Sequence, residues 1–527
     1  LTSNNSLLGK KFSSQQISTF AKADLPIYLI VFFSAGVLKT VTELVAYPYP
    51  IGYDVINYYI PMLSDFENEL HTILNEYPVY IYILHFVQNL SGLSPQTTVT
   101  SFSIFVYGIF AVSIFSVGKA IIKNDALSAA LLSLFVIIQI PVLRTAWDLH
   151  RDMFSIAMML FAVSILIRIH NNHFSRIPLR LLIPCFSFTI LSAISDRMVG
   201  GWLVLVLCIY SVLNRERMVT LCAIVSLALF LVFLFIIGHG NIILDSVFND
   251  VIDLNDNGQN PGGQILVDPA YNQTNLLVYL ISMNVLLIPL AVVGFFRLEE
   301  RSLRLSLITA LLGSISWIVF PHASQLVADR WILLFGMTLS IFAGYGFIIT
   351  IQKISKLVRH HIRFTSLSVA IFVLFALPGI AYAVLSYDGQ VSLIGLFAKN
   401  VEKFAPKSMQ FNSIRVEDSP MMLDMIDWIN THTSTDSIIL GSNHWRGWFV
   451  SGLEGNRSFV GYVGTNSSLT NAIGRYSDHF YLVDVKGKDD LNHNGLSGSY
   501  EVVNLHSNDL FSIYQLSLGA RNITSMH

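Results

Sequence analysis

The sequence predicts a polytopic α-helical membrane protein of about eleven transmembrane helices, followed by a C-terminal extracytoplasmic α/β domain. Composition is the first reason. Of 527 residues, 53% are hydrophobic and only 13% charged, whereas soluble domains carry about 25% charged residues. Apolar runs are the second, because stretches near the roughly 20 residues needed to cross a bilayer core recur along the chain. The third is a change of character after residue 386, where polar sequence alternates with short β-branched and aromatic runs. A net charge of −2 argues against a nucleic-acid partner, which calls for a basic excess.

Spans are expected at roughly 26–45, 99–118, 126–143, 153–168, 179–195, 198–213, 218–238, 275–296, 304–320, 331–352 and 364–386. Loop charge tests their number, since one wrong span reverses every later loop. With the N-terminus cytoplasmic, the inner segments gather clusters such as Lys10, Lys11 and Lys22, then Arg297, Arg301 and Arg304, then Lys353, Lys356 and Arg359. The short outer loops hold only Arg144, Arg151, Arg197 and Arg330. This is the expected bias for a multi-pass protein of a cell membrane. Residues 77–90, "YPVYIYILHFVQNL", are short for a span, carry His85 and Gln88, and would invert the bias if counted. They are expected to form an interfacial helix on the outer surface.

The predicted division is therefore a membrane domain over 1–386, with a first outer loop at 46–98, and a soluble domain over 387–527. In the latter, "SPMMLDMIDWINTHTSTDSIILGS" reads as a capped amphipathic helix, a turn and a strand. "RSFVGYV", "FYLVDV", "YEVVNLH" and "FSIYQLSL" read as further strands, about five in all. The N-x-[ST] sequons at Asn89, Asn272, Asn456, Asn466 and Asn522 fall on the outer side, while a sixth, at Asn4, falls on the inner side. Cys185, Cys208 and Cys222 lie in apolar segments, with no readable disulfide framework or thiolate metal site. The first residues are polar and lack the early apolar core of a cleaved signal peptide.

Polar residues concentrate at one depth. The middles of the spans are nearly free of charge, and no internal repeat or mid-bilayer polar pair suggests a transport path. The outer hairpins instead offer "RTAWDLHRD" with Asp148, His150, Arg151 and Asp152, "SDR" with Arg197, and "PHASQLVADR" with His322 and Arg330. Lys39 and Glu43 are spaced to pair at the end of the first span. The loop "YPYPIGYDVINYYIP" sets one acid, Asp54, among five tyrosines and three prolines. Tyr58 and Tyr59 stand close enough in sequence to shield it from water, and desolvation raises a carboxyl pKa. Helix-end arginines also anchor headgroups, and acid–arginine pairs also cap hairpins, so each segment has a purely structural reading beside the functional one.

An outer-surface acid with arginines suits glycosyl transfer from a polyprenyl-phosphate sugar, whose phosphate lies at headgroup depth. Arginine presents a planar fork to phosphate and can stabilise the charge that grows on it as the glycosidic bond breaks. A carboxylate of raised pKa suits general-base activation of an acceptor hydroxyl. A single displacement of this kind inverts the anomeric centre.

At this point the chain resembles the GT-C superfamily of polyprenyl-phosphate-dependent glycosyltransferases, with an arrangement like that of the protein mannosyltransferases. "GYDVINYYIPMLSDF" and "NEYPVYIYILHFVQNLSGLSP" look like the two parts of that family's first outer loop. "LRTAWDLHRDMFSIAMMLFAVSIL" and "VADRWILLFGMTLSIFAGYG" resemble its later site-facing segments. The resemblance implies that Asp54 is the catalytic acid and that Arg151, Arg197 or Arg330 contacts the donor phosphate. It further implies a polyprenyl-phosphate-linked sugar donor, membrane lipids around it, and a glycan, lipid or protein acceptor. Two departures stand out. Asp54 is followed by Val55 where several members have an adjacent Asp-Glu, and neither "DWIN" nor "HWRGWF" matches the WWDYG motif of oligosaccharyltransferases. Metal use varies in the family, and Asp54 with Asp148 or Asp152 could hold a divalent cation such as Mg or Mn through oxygen ligands. A non-catalytic scaffold of the same fold and, further off, a lipid or solute transporter remain open alternatives to the enzyme.

Overall fold

The structure, a computed structural model, describes residues 14–67, 70, 73–74, 78–122, 125–172, 178–232, 269–319, 328–357, 361–385, 418–442, 445–462, 480–486 and 500–518. The predicted site residue His322 and the sequons at Asn466 and Asn522 lie outside the described residues.

The first helix, α1 (Ser14–Ala46), leads into the Asp54 loop, which contains a π-helical turn (Val55–Tyr59) and the short α2 (Ile60–Ser64). Then follow α3 (Pro78–Ser91), α4 (Pro95–Ile121), α5 (Ala126–Ile137), α6 (Ile140–Asp148), α7 (His150–Asn172), α8 (Leu179–Ser195), α9 (Arg197–Asn214) and α10 (Arg217–Val232). The remainder of the helical part is α11 (Pro269–Asn284), α12 (Ile288–Arg297), α13 (Arg301–Ser314), α14 (Ser316–Val319), α15 (Ala328–Leu357) and α16 (His361–Leu385). Several starts are set locally. Ser94 accepts a hydrogen bond from the Thr97 amide at 3.2 Å ahead of Pro95, and Asp125, Asp196 and Glu300 cap α5, α9 and α13 in the same way.

Among the described residues, five helices are long and apolar enough to cross a membrane, 24–44, 95–121, 150–171, 197–214 and 330–354, or up to seven if each of two bent pairs is one span. Leu179–Ser195, Arg217–Val232 and Val369–Val384 are shorter apolar helices. Two segments expected as single straight spans are broken. Residues 126–143 bend by 66° between α5 and α6, and 275–296 by 72° between α11 and α12. The cause is readable, because Pro141 and Pro289 sit in the first turn of the second member of each pair. Proline removes a helical hydrogen bond and collides with the preceding turn.

One continuous apolar core runs through α1, α4, α5, α7, α9, α13 and α15, with large side chains such as Tyr107, Phe110, Phe115 and Phe342 fully enclosed. The closest helix pairings set α12 on α15, α4 on α7, and α7 on α8. This packing brings the start of α7, the α8–α9 junction and the start of α15 to the same end of the bundle as the Asp54 loop, as their ion pairs show.

The C-terminal part contains α17 (Ser419–His432), β1 (Ile438–Ser442), α18 (Arg446–Gly452), β2 (Ser458–Tyr462), β3 (Phe480–Val485), β4 (Tyr500–Ser507) and β5 (Phe511–Leu518). The strands form a mixed sheet in the order β2-β1-β3-β5-β4. β1 runs parallel to β2 and β3, while β5 is antiparallel to β3 and β4, with Val483 opposite Ile513. One sheet face (Ile439, Tyr481, Val483, Ile513) packs on α17 and α18, and the other buries Leu440, Leu482 and Leu516. The helix, turn and strand read from 419–442 are present, with one correction. Asp418 stands at the helix N-cap, but its side chain makes no capping bond.

Candidate active site

The Asp54 loop is shaped by its own sequence. Gly52 has φ +102°, and a Cβ there would lie 2.6 Å from Asp148 Cβ and 2.9 Å from the Trp147 carbonyl oxygen. Only glycine meets both demands, the left-handed backbone and the close approach. Asp54 then stands at the head of the π-helical turn, whose wider ring is closed by the Ile60 amide donating to the Val55 carbonyl. Asn57 Nδ2 donates to the Tyr53 carbonyl at 3.2 Å, tying the turn across Asp54. Single π turns recur at functional sites, where they re-aim side chains that a regular helix would point elsewhere.

Asp54 is buried, at 6% exposure, and it faces a guanidinium. Arg330 Nη2 donates to Asp54 Oδ2 at 3.4 Å, and Arg330 Nη1 lies 3.8 Å from Asp152 Oδ2. The chain of charges continues through Arg151. Its Nε lies 3.9 Å from Asp152 Oδ1 and donates to Asp196 Oδ2 at 2.9 Å. Asp196 Oδ1 accepts the Val199 amide at 2.8 Å, so one carboxylate both caps α9 and fixes Arg151. Three carboxylates thus share two guanidiniums, an excess of negative charge that favours a proton somewhere in the cluster. Burial pushes the Asp54 carboxyl up to about 6, with Arg330 pulling the other way and Asp148 adding to the rise. Burial raises the neighbouring Tyr53 and Tyr59 phenols as well, and the Asp54 charge contributes in both.

Of the other predicted residues, Tyr59 and His150 stand beside Arg151, while Asp148 is engaged elsewhere. Tyr59 is fully enclosed, stacks on His150 at 5.7 Å between ring centroids, and its hydroxyl accepts the Arg151 amide at 3.5 Å. His150 Nε2 lies 3.1 Å from the Trp147 carbonyl oxygen, so the histidine braces the turn before α7. Tyr58 is half-buried and meets Tyr53 edge-on at 6.1 Å. Asp148 is not part of the Asp54–Arg330 line. Arg144 Nη1 and Nη2 donate to its two oxygens at 2.6 and 3.4 Å, and the same guanidinium lies 5.6 Å from the Trp147 ring centre. Arg197 begins α9, one residue past Asp196. Lys39 and Glu43 pair at 2.5 Å, as their spacing predicts, and Ser103 donates to Glu43.

Sequence reasoning missed Asp196, although its segment "SDR" was singled out; an acid before an apolar helix is an N-cap signal that could have found it. It also missed Asn57. As for a divalent cation, no three His, Cys, Asp or Glu side chains gather into a metal site among the described residues. Asp148 pairs with Arg144, and the Arg330 guanidinium stands between Asp54 and Asp152.

No family model matches the sequence, and no curated protein matches it. Among solved structures, the chain is similar to ArnT from Cupriavidus metallidurans bound to undecaprenyl phosphate, at 12% identity and TM-score 0.49 over 95% of this chain and 98% of that one. It is similar to the Archaeoglobus fulgidus oligosaccharyltransferase in complex with Zn and sulfate, at 10% identity and TM-score 0.49 over 86% of this chain and 68% of that one. A third match is the arabinofuranosyltransferase AftD from Mycobacteria, at 10% identity and TM-score 0.45, covering 93% of this chain and 40% of that one. At these identities the likeness is one of chain arrangement alone, and the chemistry rests on the residues around Asp54.

Proposed function

We propose that this protein transfers a sugar from a polyprenyl-phosphate carrier to an acceptor hydroxyl at the outer membrane surface, with Asp54 as general base and Arg330 as the cation that meets the donor phosphate. The observation that carries this reading is the Asp54–Arg330 pair, 3.4 Å apart at the end of apolar helices. Its geometry is loose, and Arg330 remains 27% exposed, so a phosphate can approach the guanidinium and compete for its hydrogen bonds. One charge pair at 4 Å and an effective dielectric of 20 is worth about 4 kcal/mol before desolvation costs. As the phosphate draws Arg330 away, Asp54 becomes a stronger base. The acceptor O–H proton passes to Asp54, a bond forms between the acceptor oxygen and the anomeric carbon, and the bond from that carbon to the phosphate oxygen breaks. The polyprenyl phosphate leaves with the electron pair, and the anomeric configuration inverts.

One observation favours a second reading, a non-catalytic scaffold of the same fold: the Asp54 side chain is only 8% exposed, close to a plugged site. The discriminating experiment measures transfer or release of sugar from a radiolabelled polyprenyl-phosphate donor pool by purified wild type and Asp54→Asn. Turnover by wild type that disappears in a folded variant supports the enzyme. No turnover by wild type across several sugars, with and without divalent cations, supports the scaffold. Equal turnover in both proteins removes Asp54 as the base.

A further inference from the structure

Resting on that reading of Asp54, we propose that helix α18 of the C-terminal domain is the brace that holds the Asp54 turn in its working position, with Gly447 and Asn57 as the positioning residues. The two parts of the chain meet backbone to backbone. The Gly447 amide donates to Asn57 Oδ1 at 3.2 Å, across 390 residues of sequence. A Cβ at Gly447 would lie 1.8 Å from the Ile56 carbonyl oxygen and 2.8 Å from Asn57 Cα, so any larger residue drives the two segments apart. The Ile56 side chain belongs to the core of the C-terminal domain, packed among Met422, Ile426, Trp445, Trp448 and Phe449. α18 also packs on α2, which continues the turn.

The turn is therefore clamped on two sides, by Gly52 against Asp148 and by Gly447 against Ile56, with Asp54 between the clamps. Asn57 links them, since its Nδ2 donates to the Tyr53 carbonyl while its Oδ1 accepts from Gly447. A π turn is rare, and a sparsely populated conformation persists where its surroundings over-determine it. Here the surroundings are the C-terminal domain. Residues 445–449, within a segment that does not match WWDYG, serve as the surface that shapes the turn.

The test compares full-length wild type, Gly447→Ala, Asn57→Ala and a control, Leu482→Ala, which cuts the C-terminal core on the opposite sheet face. Hydrogen–deuterium exchange over residues 53–60 is expected to speed up in Gly447→Ala and Asn57→Ala but not in the control. Transfer should fall about 10- to 100-fold in kcat with donor KM little changed, as misplacement of a reacting group does. The acidic limb of the pH–rate profile should move from about 6 toward the ordinary carboxylate range as water reaches Asp54. Exchange over 53–60 at the wild-type rate in Asn57→Ala, which removes both the bond to Gly447 and the bond to the Tyr53 carbonyl, overturns the brace even if Gly447→Ala does not fold. Faster exchange in both variants, from a wild type that transfers nothing, keeps the brace and removes the enzymatic reading. A wild-type acidic limb in both variants removes the claim that the brace sets the working state of Asp54.

Discussion

Arg330 Nη2 lies 3.4 Å from Asp54 Oδ2, joining the start of α15 to a loop 276 residues earlier in the chain. The same guanidinium approaches Asp152, so one partly exposed cation answers two buried acids. That relationship sets what changes at Arg330 and Asp54 should do.

Arg330→Lys keeps a charge but loses the fork that spans two carboxylates or two phosphate oxygens. Donor kcat/KM should fall about 10-fold or more, and Arg330→Ala should fall further. Without its cation, Asp54 holds its proton more tightly, so the acidic limb of the pH–rate profile should move upward from about 6. A profile unmoved in Arg330→Ala would show that the pair does not act on the reacting carboxyl.

In wild type, a base with a pKa near 6 is protonated and idle at pH 5 and ionised by pH 7. Transfer should therefore rise about tenfold per pH unit well below the midpoint and level off above it. Stability runs the other way. Burial raises the folded-state value above the unfolded one, so the folded chain binds this proton more tightly. The contribution is full below about pH 4 and is lost as pH rises through about 6, on the order of 3 kcal/mol in all. Asp54→Asn should flatten that part of the stability profile in detergent-solubilised protein, measured by thermal unfolding between pH 4 and 8.

Gly52→Ala places a Cβ 2.6 Å from Asp148 Cβ at a backbone angle that alanine avoids. The expected cost is about 1–3 kcal/mol in stability, with loss of transfer as the Asp54 loop is displaced. Wild-type melting and activity in this variant would show that the loop is not anchored on the α6–α7 junction.

Arg144→Ala leaves the Asp148 carboxylate buried and unpaired, a change that costs about 3–5 kcal/mol. Arg144→Met combined with Asp148→Leu removes both charges and should recover much of the melting temperature lost in the single variant. If the double variant is the less stable of the two, the pair contributes more than its own charges.

The chain's membrane character, its apolar helices and its C-terminal sheet were legible in the sequence, because hydropathy, loop charge and β-branched runs are local properties that act over one helix or strand. Asp54 was legible for the same reason: a lone acid in a tyrosine- and proline-rich loop is unusual without any neighbour being known. Local pattern even carried the bends, in Pro141 and Pro289, although it was read as straight spans. What tertiary structure decided is which charges meet. Arg151, Arg197 and Arg330 were equivalent candidates in sequence; folding gives Arg151 to Asp196, brings Arg330 to Asp54, and closes Asp148 onto Arg144. Likewise, nothing near Gly447 in sequence points to Asn57, because that contact depends on two backbones approaching closely enough to exclude a single methyl group. Pairings across hundreds of residues follow from how helices pack, and packing is set by the whole core rather than by any segment of it.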